Sequence, residues 1–170
     1  MNVVDTALAQ AKQVIGKVTE KVTDAATAES HIQAITIGKP RREVIDLFRD
    51  PVGLSQVFGD IADVHEAGVD RLRWAFFGDG PAWDCVVSLE DESRLRYVDV
   101  DPEKDIGVTL LFRDAPQDRG TEVIGKASAP APGALTGLVI YKALYRARAL
   151  LQTGEVPTIK HNPSARDSQR

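Results

Sequence analysis

An α+β fold, with an antiparallel sheet of about seven strands covered by one long C-terminal helix, is predicted by three features of the sequence. Between residues 61 and 129 apolar side chains recur every second position, and turn-forming residues interrupt the pattern at short intervals. From 134 to 152 the apolar period becomes that of a helix. Ahead of the strand-rich stretch stand one further strand and two short helical segments. The 170 residues make about one domain of ordinary size, and an apolar fraction of 43% supplies one hydrophobic core.

The elements follow in order. Val4, Leu8, Ala11, Ile15, Val18, Val22 and Ala25 are spaced 4-3-4-3-4-3, the seam of a heptad repeat, which predicts an amphipathic helix over 2–28. The seam is weak, because two of its seven positions are alanine and Gly16 costs about 1 kcal/mol of helix propensity. Residues 31–37 read as a strand ended by Gly38. Pro40 suits the first turn of a helix whose apolar stripe is Val44, Leu47 and Phe48. Asp50-Pro51 stops that helix, and a second short one runs over 52–58 to Gly59-Asp60.

Six strands are then predicted at 62–67, 71–77, 83–89, 95–100, 108–113 and 121–127. The short connections between them, such as Gly78-Asp79-Gly80-Pro81 and Asp101-Pro102, imply antiparallel neighbours in a meander. Alternation sorts the faces: Leu72, Trp74 and Phe76 oppose Arg71 and Arg73, and Trp83, Cys85, Val87 and Leu89 oppose Asp84, Ser88 and Glu90. One face is apolar and aromatic and requires a cover. The C-terminal helix supplies it, with Ile140, Leu144, Ala147 and Leu151 on one stripe and Lys142 and Arg146 opposite, ending at Gly154. The expected organisation is an amphipathic helix at 1–30, the main domain at 31–154 and a flexible polar tail at 155–170.

Composition excludes several function classes. Twenty-five acidic against 21 basic residues give a net charge of −4, the wrong sign for a nucleic-acid partner. The single cysteine, Cys85, excludes an internal disulfide framework, and His31, His65 and His161 form no metal-ligand cluster. No metal or cofactor motif is present: no Gly-rich phosphate loop, no Gly-x-Ser-x-Gly and no His-Glu-x-x-His. No apolar run approaches the ~18 residues of a membrane span, and the chain reads as cytoplasmic.

Strand, two short helices, six-stranded meander and long C-terminal helix is an order that resembles the helix-grip fold of the SRPBCC superfamily. That superfamily includes START lipid-transfer domains, the birch-pollen allergen group and polyketide cyclases. Pro40-Arg41-Arg42-Glu43-Val44, Phe48-Arg49-Asp50, Trp74, Trp83-Asp84, Arg119-Gly120-Thr121-Glu122-Val123 and the ending 151–158 resemble its bacterial polyketide cyclase/dehydrase branch. The resemblance covers about 31–158, and the N-terminal helix is an addition to it. It implies a curved sheet gripping the long helix, with a cavity between them for a hydrophobic small molecule. Family members of this kind often carry a bulky residue near Ala147, so alanine there implies extra space. No catalytic residue of the family maps onto a motif here.

By strand parity and helix projection the candidate lining of that cavity is Trp74, Phe76, Trp83, Cys85, Val87, Tyr97, Leu110, Phe112, Ile140, Leu144 and Ala147, with Tyr141 reaching the rim. The plain alternative is that these side chains form the core that a domain of this size needs anyway. Polar candidates are few. Tyr97 suits a hydrogen bond to a ligand carbonyl, or equally a satisfied core position. Cys85, on the apolar face, reads as a buried inert thiol. Asp84 and His65 read as exposed, and Asp99 as a turn residue at a strand end. Arg41-Arg42 and the four acids between 99 and 105 read as solvated surface, the latter lacking calcium-loop spacing.

Three functions fit these residues. The first is binding or carriage of a lipid, polyketide or quinone-like molecule. The second is cyclase/dehydrase-type catalysis, which requires polar groups converging inside the cavity. The third is a protein-interaction module acting through 1–28, by self-association or on a partner protein. The same helix admits a cover for its own domain or peripheral contact with a membrane surface.

Overall fold

Seven strands form one antiparallel sheet in the order β1-β7-β6-β5-β4-β3-β2: β1 (Ile32–Ile37), β2 (Ala62–Gly68), β3 (Arg71–Phe76), β4 (Trp83–Glu90), β5 (Arg94–Asp99), β6 (Gly107–Asp114) and β7 (Thr121–Ala127). The structure, a computed structural model, describes residues 32–78, 81–128, 131–132 and 135–157. The helix predicted over 2–28, the tip of the 78–81 turn and the tail beyond 157 lie outside the described residues. Strands β2 to β7 pair with their sequence neighbours, as short connections dictate, and β1 closes on β7 with Ile32 opposite Lys126 and Ile37 opposite Thr121.

This topology explains the two short helices. β1 and β2 occupy opposite edges of the sheet, and α1 (Arg41–Arg49) and α2 (Pro51–Phe58) carry the chain from one edge to the other. Asp50 both ends α1 and begins α2, its carboxylate accepting from the Val52 and Gly53 N–H groups at 3.3 and 3.1 Å. Pro51 therefore starts α2 one residue earlier than the sequence predicts, in the first-turn position that tolerates proline. Ser55 ties α2 to β2, accepting from the Val64 N–H at 2.9 Å and donating to the Val64 carbonyl at 3.0 Å.

The long helix α3 (Gly137–Thr153) buries Ile140, Ala143, Leu144 and Ala147 against the sheet. It begins three residues later than the period suggests, because the Thr136 hydroxyl accepts from the Val139 N–H and so caps it there. Close approach to β7 depends on Gly125, where a β-carbon would stand 2.8 Å from Ile140 Cγ2. At its far end the Gln152 side chain accepts from the Gly38 N–H at 2.9 Å, fixing the end of α3 beside the end of β1. Arg146 donates to Asp60 at 2.8 Å and to the Val57 carbonyl at 3.4 Å, joining α3 to the exit of α2.

Strand bounds agree with the sequence reading to within a residue or so, and the predicted alternation holds: Leu72, Trp74, Phe76, Trp83, Cys85, Leu95, Tyr97, Leu110, Phe112 and Val123 all lie on the helix-covered face. Gly120 makes the β6–β7 connection possible, since with φ 108° a β-carbon there would fall 2.1 Å from the Ile37 carbonyl oxygen. Among the described residues no helix is long and apolar enough to cross a membrane.

Candidate ligand-binding interior

Trp74, placed inward at the centre of β3, organises the interior. Its ring lies 4.8 Å from Phe58 of α2 edge-on, 5.9 Å from Tyr97 edge-on, 6.0 Å from Trp83 and 6.3 Å from Phe76 between centroids. Edge-to-face pairs of this kind add roughly 0.5–1.5 kcal/mol each beyond their burial. The aromatic alternation of β3, β4 and β5 thus becomes one cluster roofed by α2.

The polar tips in this cluster are treated unequally. The Trp83 indole donates to Asp99 Oδ2 at 3.0 Å, while Asp99 Oδ1 accepts from the Asp101 N–H at 2.8 Å and shapes the turn. The Tyr97 hydroxyl donates to the Phe48 carbonyl oxygen at the end of α1. Trp74 Nε1 is buried with no oxygen or nitrogen acceptor, and its polar neighbour is the Cys85 thiol. Burial pushes the Cys85 thiol up to about 12, partly offset by the neighbouring Trp74 indole, and burial likewise holds the Tyr97 hydroxyl well above its usual range. Both groups are therefore neutral at physiological pH.

Between sheet and helices lies a void of about 20 Å³. Its walls are Tyr97, Val108 and Leu110 from the sheet, Phe48 from α1, Leu54 and Phe58 from α2, and Ile140, Ala143 and Leu144 from α3. Such a space is about that of one water molecule, against the ~300–1,000 Å³ of ordinary ligand pockets. Between these walls there is no room for a ligand in this conformation. A separate groove of about 200 Å³ opens at the surface between Arg49-Pro51 and the β2–β3 turn, with Leu72 and Val87 among its lining residues.

Of the residues singled out from sequence, Tyr97, Leu110, Ile140 and Leu144 border the void. Trp74, Phe76, Trp83, Cys85, Phe112 and Ala147 are buried in the surrounding core. The space implied by alanine at 147 is filled by its neighbours, and the void borders Ala143 instead. Val87 belongs to the outer groove. Tyr141 does not reach the interior: it is 46% exposed, because one residue beyond inward-facing Ile140 the helix has turned by 100°. Phe48, Leu54, Phe58, Val108 and Ala143 were not among the sequence candidates. Strand parity with Leu110 identifies Val108, and the three-residue step from Ile140 identifies Ala143.

Among the described residues no charged side chain borders the void. Arg73 clasps Asp84 with two hydrogen bonds of 2.8 and 3.0 Å on the uncovered face, holding the carboxyl below its usual range. His65 is exposed. Among the described residues no three His, Cys, Asp or Glu side chains gather as a metal site.

No protein-family model and no curated protein matches this chain. Solved structures do. DR_A0006 of Deinococcus radiodurans is 26% identical, with a TM-score of 0.57 over 73% of this chain and 98% of that one. The Aha1 dimer protein of Colwellia psychrerythraea, 13% identical, gives 0.56 over 73% and 96%. The two-domain aromatase/cyclase StfQ of the steffimycin biosynthetic pathway, 18% identical, gives 0.54 over 70% of this chain and 43% of its own.

Proposed function

From the helix-grip fold of SRPBCC and polyketide cyclase-like proteins, which this chain has, we propose that it binds and carries a hydrophobic small molecule between the sheet and α3. The observation that carries this reading is the Trp74 indole N–H, buried with no oxygen or nitrogen acceptor and only the Cys85 thiol beside it, within an aromatic cluster whose members Phe58 and Tyr97 also wall the void. An unsatisfied buried donor costs about 1–3 kcal/mol, which a ligand acceptor would recover. The matching ligand is therefore apolar, flat enough to stack on indole, and carries a carbonyl; quinones and polyketides qualify better than saturated lipids.

Binding requires the void to open. The strands are locked by their ladders, so the walls left to move are the helical ones, α1, α2 and α3. The Arg146 links to Asp60 and the Val57 carbonyl join α3 to α2, which favours those two moving as a unit. The aromatase/cyclase reading has less support, because proton transfer needs free polar groups in the interior. Tyr97 is engaged with Phe48, and the Cys85 thiol is held neutral.

Native mass spectrometry of freshly purified protein, with organic extraction of bound material, tests the proposal alongside titration with menadione and oleate read by tryptophan fluorescence. A bound carbonyl-bearing apolar molecule, or saturable quenching by menadione exceeding that by oleate, is expected. Ligand-free protein that neither compound quenches saturably overturns the reading.

A further inference from the structure

Leu138, Tyr141 and Tyr145 stand on the face of α3 turned away from the sheet, 76%, 46% and 42% exposed. With Arg148, whose guanidinium lies 5.2 Å from the Tyr145 ring centre, and Gln152, they occupy positions spaced 3-4-3-4, a heptad seam. Among the described residues nothing covers its apolar members. The N-terminal segment carries the matching pattern: Ala25, Val22, Val18, Ile15 and Ala11, read backwards, are also spaced 3-4-3-4.

Chain direction brings the two together. The Gln152–Gly38 hydrogen bond puts the last turn of α3 at the end of β1, and α3 packs along β1 and β7. The first turn of α3, with Leu138, therefore lies toward the start of β1, where residue 31 hands over to Ile32. Residues 26–31 span at most ~20 Å, enough to climb past a helix ~10–12 Å across. Residues 11–25 as a helix measure ~22 Å, against ~25 Å for the 17 residues of α3.

We propose that residues 11–25 dock as a helix antiparallel to α3 in the same chain, covering Leu138, Tyr141 and Tyr145. Val22 then faces Tyr141 and Val18 faces Tyr145, small against large, while Ala25 meets Leu138. A seam this weak gains little from association between separate chains. A short tether, however, supplies an effective concentration on the order of millimolar without further contacts.

The test uses the full chain with Val22→Cys and Tyr141→Cys, the native Cys85 being buried and so silent. Mild oxidation is expected to form an intramolecular disulfide in the monomer at least tenfold faster than in a control pairing Gln13→Cys with Tyr141→Cys. Equal rates, titratable thiols that do not pair, or a disulfide joining two chains overturn the proposal, the last by assigning the face to a second copy. Leu138→Asp supplies an independent readout, raising hydrogen exchange of residues 11–25 at least tenfold; unchanged exchange overturns the proposal.

Discussion

Trp74 and Trp83 stand with ring centroids 6.0 Å apart and planes inclined at 45° on neighbouring strands, yet only Trp83 has its N–H satisfied, by Asp99. Two nearly equivalent indoles in one core thus differ in the single property that a ligand would exploit. Replacing each by phenylalanine separates cavity cost from hydrogen-bond cost. Trp83→Phe loses a bond to a carboxylate, worth about 1.5–3 kcal/mol, in addition to volume. Trp74→Phe loses similar volume but removes a donor with only the Cys85 thiol beside it. Urea unfolding should find Trp83→Phe the less stable by at least about 1 kcal/mol, and menadione binding should weaken about tenfold in Trp74→Phe.

Tyr97 closes the interior from the sheet side by bonding to the Phe48 carbonyl. Tyr97→Phe leaves that buried carbonyl without this donor, so a loss of about 1–3 kcal/mol is expected in urea midpoints with unchanged slope. Because the hydroxyl is already engaged, ligand binding by Tyr97→Phe should stay within about threefold of the parent. A loss of binding much greater than the loss of stability would instead make Tyr97 a ligand group.

Two turns respond oppositely to glycine. Gly120→Ala forces a β-carbon onto the Ile37 carbonyl and should destabilise by about 2–4 kcal/mol. Glu92, at φ 51° in the β4–β5 turn beside Asp91 at φ 50°, carries left-handed strain with a side chain present. Glu92→Gly should raise stability by about 0.5–1 kcal/mol, read as a higher Tm.

Alkali should unfold the protein early. In the unfolded chain Cys85 ionises near its ordinary 9.0, whereas the folded thiol keeps its proton until about 12. Tyr97 likewise holds its proton well above its ordinary 10.0. Over that window the folded state binds more protons than the unfolded one, so stability is full below pH 9 and falls as pH rises. Urea midpoints from pH 8 to 11 check this, and Cys85→Ala should flatten the decline between pH 9 and 10. Identical slopes would remove Cys85 as a cause.

The fold was legible in the sequence because its determinants are local. Period-two alternation placed Trp74, Trp83 and Tyr97 on one face, and Asp50-Pro51 split α1 from α2. The pairing of β1 with β7 was not legible, since hydrogen bonding between residues some 90 apart leaves no local pattern. The interior was less legible. Parity states which side chains point inward but not how near α3 comes, and that distance is set by Gly125 beneath Ile140. Nor does any pattern reveal that Tyr97 finds the Phe48 carbonyl while Trp74 has only the Cys85 thiol beside it.

The most direct measurement is a 15N–1H spectrum of the two tryptophan indoles during titration with menadione. The Trp74 Nε1–H resonance, assigned with Trp74→Phe, is expected to move downfield saturably as it acquires an acceptor, while that of Trp83 stays in place on Asp99. A Trp74 resonance unmoved while menadione binds would contradict the assignment of the ligand to this interior.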